Sequence, residues 1–236
     1  EYSSAYTNHG ESNLKLKEFE SSKSSFYKSL ELDGPSPEIY SAIGRAYYHL
    51  KDYSTSIDYF QRSIKIDQFF KESYFWLAKS LVALDKWFEA IHYFKKAHKF
   101  DLQNIEYIKS LAYAEFKVGN MVSSIELYNK ALEIDPSDYK IALEFSSIYY
   151  ESGDIDKAIC LIEDAIDELP SESLLYYRLV IYLMDAGKYR ESINVLESAL
   201  SLNFDNHEVL FDFVPNFETQ SALIRVINQY RKNNPQ

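Results

Sequence analysis

Residues 37–70 read PEIYSAIGRAYYHLKDYSTSIDYFQRSIKIDQFF, and residues 71–104, KESYFWLAKSLVALDKWFEAIHYFKKAHKFDLQN, repeat the same pattern of small, large and polar slots. Counted within each stretch, the eighth slot holds Gly44 and then Ala78. Extended in both directions, that slot holds Gly10, Gly44, Ala78, Ala112, Ser146 and Val180, in five equal steps of 34 residues. A fixed period of this size marks an array of helix pairs. The units run 3–36, 37–70, 71–104, 105–138, 139–172 and 173–206.

Other slots keep the register. Position 20 holds Ser22, Ser56, Ala90, Ser124, Ala158 and Ser192, and position 27 holds Ser29, Ser63, Ala97, Ala131, Ala165 and Ala199. Position 24 is large: Phe26, Phe60, Phe94, Tyr128, Ile162 and Leu196. Positions 4, 7, 8 and 11 share one face of a first helix, and 20, 24 and 27 share one face of a second. The small slots let two backbones approach and the large one fills the space between them. One pair cannot bury its own apolar face, so the units stack. Gly119, Gly153 and Gly187 fall at position 15, the turn between the helices, where a left-handed residue ends the first helix. Asp52, Asn120 and Asp154 follow at position 16 as expected caps of the second helix. Pro37, after Ser36, suits a first helical position, and Pro136 and Pro170 follow second helices.

These slots resemble the tetratricopeptide repeat over residues 3–206, six units in unbroken register. The resemblance implies an all-α, right-handed solenoid acting as a protein-interaction scaffold. Three departures stand out: Ala142 at position 4, Glu115 at position 11, and His9 at a core slot of the first unit.

Residues 207–236 depart from the repeat. A seventh unit starts with Leu210 at position 4, but Pro215 falls inside what would be its first helix, where it removes a backbone donor and clashes with the previous turn. The expectation is a short helix, a break, and a capping helix whose polar face carries Arg225, Asn228 and Gln229. At the other end Tyr2, Ala5 and Tyr6 begin the first helix at once. That suggests further repeats upstream, or self-association covering the N-terminal end.

The net charge of −11 argues against nucleic acid, which would need a basic stripe. No apolar run is long enough to span a bilayer. Cys160 is the only cysteine, so no intrachain disulfide forms, and a reducing, cytoplasmic compartment is expected. The low Gly and Pro content hints at a bacterial source. His9, His49, His92, His98 and His207 offer no pair at metal-ligand spacing, and no phosphate loop or nucleophile elbow occurs. The expectation is a non-enzymatic chain without cofactor or metal.

If the resemblance holds, positions 2, 5, 9, 12 and 13 of the first helices face a concave groove. The expected partner-binding residues are Arg45, Tyr48, Phe75, Lys79, Lys109, Tyr113, Phe116, Leu143, Tyr150, Tyr177 and Ile181. Aromatic side chains interleaved with cations suit a peptide having apolar anchors and some acidic groups. Glu38, Glu72 and Glu106 at position 2 can instead pair with Arg45, Lys79 and Lys109 as a structural charge ladder, and the apolar slots can be packing. The carboxylate clamp of chaperone-binding tetratricopeptide domains is not matched: Thr7, Glu11, Ala42, Glu72 and Trp76 stand in one register, and Ser41, Arg45, Trp76, Glu106 and Ser110 in the next. Two other readings are a self-assembly module and the regulatory or targeting segment of a longer multidomain protein.

Overall fold

The structure, a computed structural model, describes residues 2–213 and 221–234. Twelve helices come in pairs. They are α1 Tyr2–Lys15 with α2 Phe19–Asp33, α3 Pro37–His49 with α4 Tyr53–Ile66, and α5 Lys71–Ala83 with α6 Trp87–Phe100. The series continues with α7 Ile105–Lys117 and α8 Met121–Ile134, α9 Tyr139–Glu151 and α10 Ile155–Glu168, and α11 Ser173–Asp185 and α12 Tyr189–Leu202. A 3-10 turn, Phe204–Glu208, and two helices, α13 Val209–Phe213 and α14 Ser221–Asn233, follow. No strand occurs among the described residues.

The first two pairs are closed by the small and large slots. Phe60 of α4 is fully buried on Gly44 of α3, where a Cβ would lie 2.7 Å from its ring; at Gly10 it would lie 2.5 Å from Phe26. Three of the four position-20 serines act as a second clasp. Ser22 and Ser56 donate to the carbonyls of Gly10 and Gly44 at 2.8 Å, and Ser192 donates to that of Val180 at 3.2 Å. A helix thus hydrogen-bonds its partner through a side chain small enough to keep the backbones close.

The turns repeat as strictly as the packing. In all six, the backbone N–H at position 16 donates to the carbonyl at position 11, as Asp52 does to Tyr47 at 3.0 Å and Lys188 to Leu183 at 2.8 Å. This closure requires a left-handed residue at position 15. Gly119, Gly153 and Gly187 supply it in the last three pairs, but Lys17, Lys51 and Asp85 adopt it at φ of 62°, 64° and 60° in the first three. Asp52 and Asp154 cap α4 and α10 by accepting from Thr55 and Lys157. At the corresponding position of the fourth pair the Asn120 amide donates to Glu115 at 2.6 Å. Glu115 is 1% exposed, and the Lys95 ammonium stands 2.7 Å from its other oxygen, an ion pair. The carboxylate at this usually apolar slot is therefore paired with a charge from α6 and hydrogen-bonded from its own turn.

The chain divides into two compact units, Glu1–Leu127 and Tyr128–Gln236, with the boundary inside α8. The first holds one core around Phe26, Ile39 and Ile43 and another around Phe60, Leu77, Phe94 and Leu111. The second is centred on Ile162, Leu175, Leu179, Val180 and Leu196. There Leu223 and Ile227 of α14 join the core while Arg225, Asn228 and Gln229 stay exposed. Pro215 lies outside the described residues.

Candidate partner-binding site

In the unit Glu1–Leu127, α3, α5 and α7 bring most of the expected aromatic and cationic residues together. The His49 ring stacks on Phe19 at 4.8 Å and meets the Trp76 edge at 5.8 Å, and Tyr48 meets Trp76 at 5.3 Å. Lys79 holds its ammonium over Trp76 (5.0 Å) and Phe75 (5.3 Å). Farther along, Trp87 meets Tyr113 at 5.8 Å, Tyr113 lies 6.4 Å from Phe116, and the Lys117 ammonium sits over Tyr113 at 4.9 Å. Between these two groups is a pocket of about 110 Å³ lined by Tyr48, Lys79, Val82, Trp87, Phe94, Ser110 and Tyr113. A larger cleft of about 770 Å³ in the other unit is lined by Leu200, Phe204, His207, Tyr230 and Arg231. Its walls come from one turn and two helices rather than from the repeated slots, so the smaller pocket is the better candidate for a repeat-based site.

The electrostatics of the aromatic site are cationic but partly answered from within. Arg45 is ion-paired with Glu11, a residue one repeat earlier at the same position, and Lys79 reaches Glu106 at 3.7 Å. Lys79–Glu106 is one rung of the expected ladder, formed between repeats, while Arg45 takes Glu11 rather than a position-2 glutamate. Burial, together with Arg45 and Lys79, holds the His49 imidazole below its usual 6.5. Lys79 is held only by this long, part-exposed bridge. Arg45 is already committed to Glu11.

Several expected groove residues are packing residues. Phe75 is 5% exposed, with its ring 4.7 Å from Tyr107 of the next repeat, and Lys109, at the same position 5, is 9% exposed. In the unit Tyr128–Gln236, Tyr177 and Ile181 are 0% and 2% exposed. The Tyr177 hydroxyl donates to the Asn203 carbonyl at 2.8 Å, and the 3-10 turn and α13 pack on α11. These four side chains are buried, because position 5 faces the next element of the stack and the 3-10 turn and α13 pack on α11. Leu143 and Tyr150 are half-buried, and Tyr150 stacks on Tyr182 at 4.9 Å. The Tyr150 hydroxyl donates to Asp185, which together with burial pushes it up to about 12. Trp76 at position 6 and Trp87 at position 17 were not among the expected residues. The signal for Trp76 was geometric: position 6 continues the stripe 2, 9, 13 around a helix.

Sequence patterns described as the tetratricopeptide repeat match residues 3–35, 37–69, 110–138 and 174–206, more than half of the chain. The chain belongs to the tetratricopeptide repeat family. It is accordingly a protein–protein interaction scaffold, of a family whose members are typically non-enzymatic. Solved structures with this fold include TTC0263, a thermophilic tetratricopeptide repeat protein of Thermus thermophilus, at 15% identity and a TM-score of 0.62, covering 77% of this chain and 99% of that one. MamA 41-end from Desulfovibrio magneticus RS-1 aligns at 16% identity and 0.64, over 73% and 97%. YrrB, whose structure is described as having an unusual peptide-binding site, aligns at 15% and 0.56, over 76% and 93%. No curated protein sequence matches the chain. Among the described residues no cluster of His, Cys, Asp or Glu could hold a metal ion, and no helix is long and apolar enough to cross a membrane.

Proposed function

We propose that the tetratricopeptide array binds an extended peptide across α3, α5 and α7, with an apolar side chain in the pocket between Tyr48 and Tyr113 and an acidic group beside Lys79. The observation that carries this reading is the half-exposed aromatic wall of Tyr48, Trp76, Trp87, Tyr113 and Phe116 with Lys79 and Lys117 laid over it. Aromatic anchors with flanking cations are the usual composition of an energetically dominant binding centre. The pocket has room for one aliphatic side chain, not for a helix. A peptide-binding site is described for YrrB, on the same fold.

Both tryptophans of the chain, Trp76 and Trp87, belong to this site, so intrinsic fluorescence reports on it directly. A panel of synthetic peptides pairing Leu or Val with a neighbouring Glu is expected to shift the emission. Lys79→Ala is expected to weaken that binding about tenfold and flatten its salt dependence, and Trp76→Ala to weaken it as well. Binding of the same peptides with unchanged affinity and salt dependence in both variants would sink the assignment.

A further inference from the structure

The second helices present an outer face that the peptide reading leaves unused. On α6, positions 18, 22, 25, 26 and 29 are Phe88, His92, Lys95, Lys96 and Lys99; all are exposed, and Phe88 is 79% exposed. At helical spacing they form one continuous stripe. Exposed Arg62 and Lys65 occupy positions 26 and 29 of α4, so the patch extends onto the preceding repeat. A concentrated basic patch is unexpected in a chain of net charge −11. On α10, in the other unit, the same five positions are Asp156, Cys160, Glu163, Asp164 and Asp167, again all exposed. One stripe has three lysines where the other has three carboxylates, slot for slot, with a fourth carboxylate at position 18.

We infer that this is an interface between copies of the chain: the α6 stripe of one molecule docks on the α10 stripe of another. Matching helices of equal length place the charges at equal spacing, so the two faces are complementary in charge. The contact is heterologous, using different faces of the two copies. Its attraction is between exposed charges, so the association is weak and salt-sensitive. Lys95 already answers Glu115, and Lys96 lies over Tyr74 at 5.4 Å, which leaves Lys99 as the most available cation. The carboxylates of Glu163, Asp164 and Asp167 lie on an exposed face, and Asp156 has only a long bridge to Lys188, 3.8 Å. The interface is independent of the aromatic site, so either can fail without the other.

The experiment is sedimentation or light scattering of the whole chain over a wide concentration range at low and high salt. Association at low salt that dissolves at high salt is expected. Two charge-reversed variants, Lys96→Glu/Lys99→Glu and Asp164→Lys/Asp167→Lys, should each self-associate about tenfold more weakly or not at all. Mixed together they should associate again, because each retains the face the other lost, and circular dichroism confirms that each is folded. A wild-type chain that stays monomeric at low salt overturns the inference. So does association that is indifferent to salt or to both reversals, or mixing without recovery. A monomeric chain that instead binds anionic vesicles or polyglutamate through Lys96 and Lys99 would overturn it too, and assign the basic stripe to a different occupant.

Discussion

Between α1 and α2 the buried atoms are largely polar. Ser29 contacts the Ser3 and Thr7 hydroxyls at 2.9 and 2.7 Å, His9 contacts Ser25 at 2.8 Å, and Ser22 donates to the Gly10 carbonyl. Between α11 and α12 the same interval is filled by Leu175, Leu179, Val180, Leu183, Leu196, Ala199 and Leu200. The two pairs have the same slots, helix lengths within a residue or two of each other, and the same closing turn. The repeat therefore specifies spacing more than chemistry, and a pair can be held by directed hydroxyl bonds or by apolar contact. The two are not equal in energy. A buried hydroxyl bond nets about 1 kcal/mol after water is accounted for, whereas a fully buried leucine contributes about 1.5–3 kcal/mol.

The hardest test of that contrast is truncation at the centre of each pair. Leu196→Ala should cost about 2–5 kcal/mol, the loss of transfer energy plus a cavity. Ser29→Ala should cost about 1 kcal/mol. Hydrogen exchange, read helix by helix, is the proper measurement, because stability in stacked repeats is local. It should also show α1 and α2 exchanging faster than α11 and α12 in the unmodified chain. Equal costs for the two truncations would mean that the hydroxyl network holds α1 and α2 as firmly as leucine holds α11 and α12.

Spacing can be attacked without touching polarity. Gly44→Ala would normally strengthen a helix by about 0.5–1 kcal/mol. Here the new methyl meets the Phe60 ring at 2.7 Å, and overpacking costs about 1–3 kcal/mol, so a net loss in melting temperature is expected. Phe60→Leu added to Gly44→Ala should recover part of it, since Val180 and Leu196 occupy these two slots in the last pair. The turns offer a smaller effect of opposite sign. Lys51→Gly and Asp85→Gly remove a left-handed strain that Gly153 and Gly187 avoid, and each should add about 0.5–1 kcal/mol by thermal or chemical denaturation. Gly153→Ala should lose a similar amount.

The period of 34 made the helix pairs, their turns and the small-to-large packing readable from the chain alone, because each rests on contacts within one repeat. Legibility failed where contacts run between repeats. Phe75 looks like a groove residue on its own helix but is buried between Phe94 of its own pair and Tyr107 of the next. Arg45 finds Glu11 rather than Glu38, a choice made by stacking and not by helix spacing. Glu115 breaks the pattern of position 11, and its explanation, Lys95, sits on the preceding pair. Trp76 escaped notice because position 6 is occupied by Ala42 and Ser110 in the adjoining repeats, so no recurring residue type marked it.

His49 carries the contrast between polar and apolar packing into the binding site itself. It is a polar ring used as an aromatic one, stacked on Phe19 and set against Trp76, with desolvation and then Arg45 and Lys79 disfavouring its charge. Because its folded value lies below 6.5, the unfolded chain takes up the proton first as pH falls. The contribution of the neutral ring is therefore complete above about 6.5, declines as pH drops below it, and is fully lost once pH passes the folded value. Trp76 emission should report a small, local loosening of α3 against α5 over that interval, reversible on raising the pH. His49→Gln should remove the pH dependence there while leaving that of the α11 and α12 pair unchanged. Persistence of the same transition in His49→Gln would assign it to another group and leave His49 as a packing residue alone.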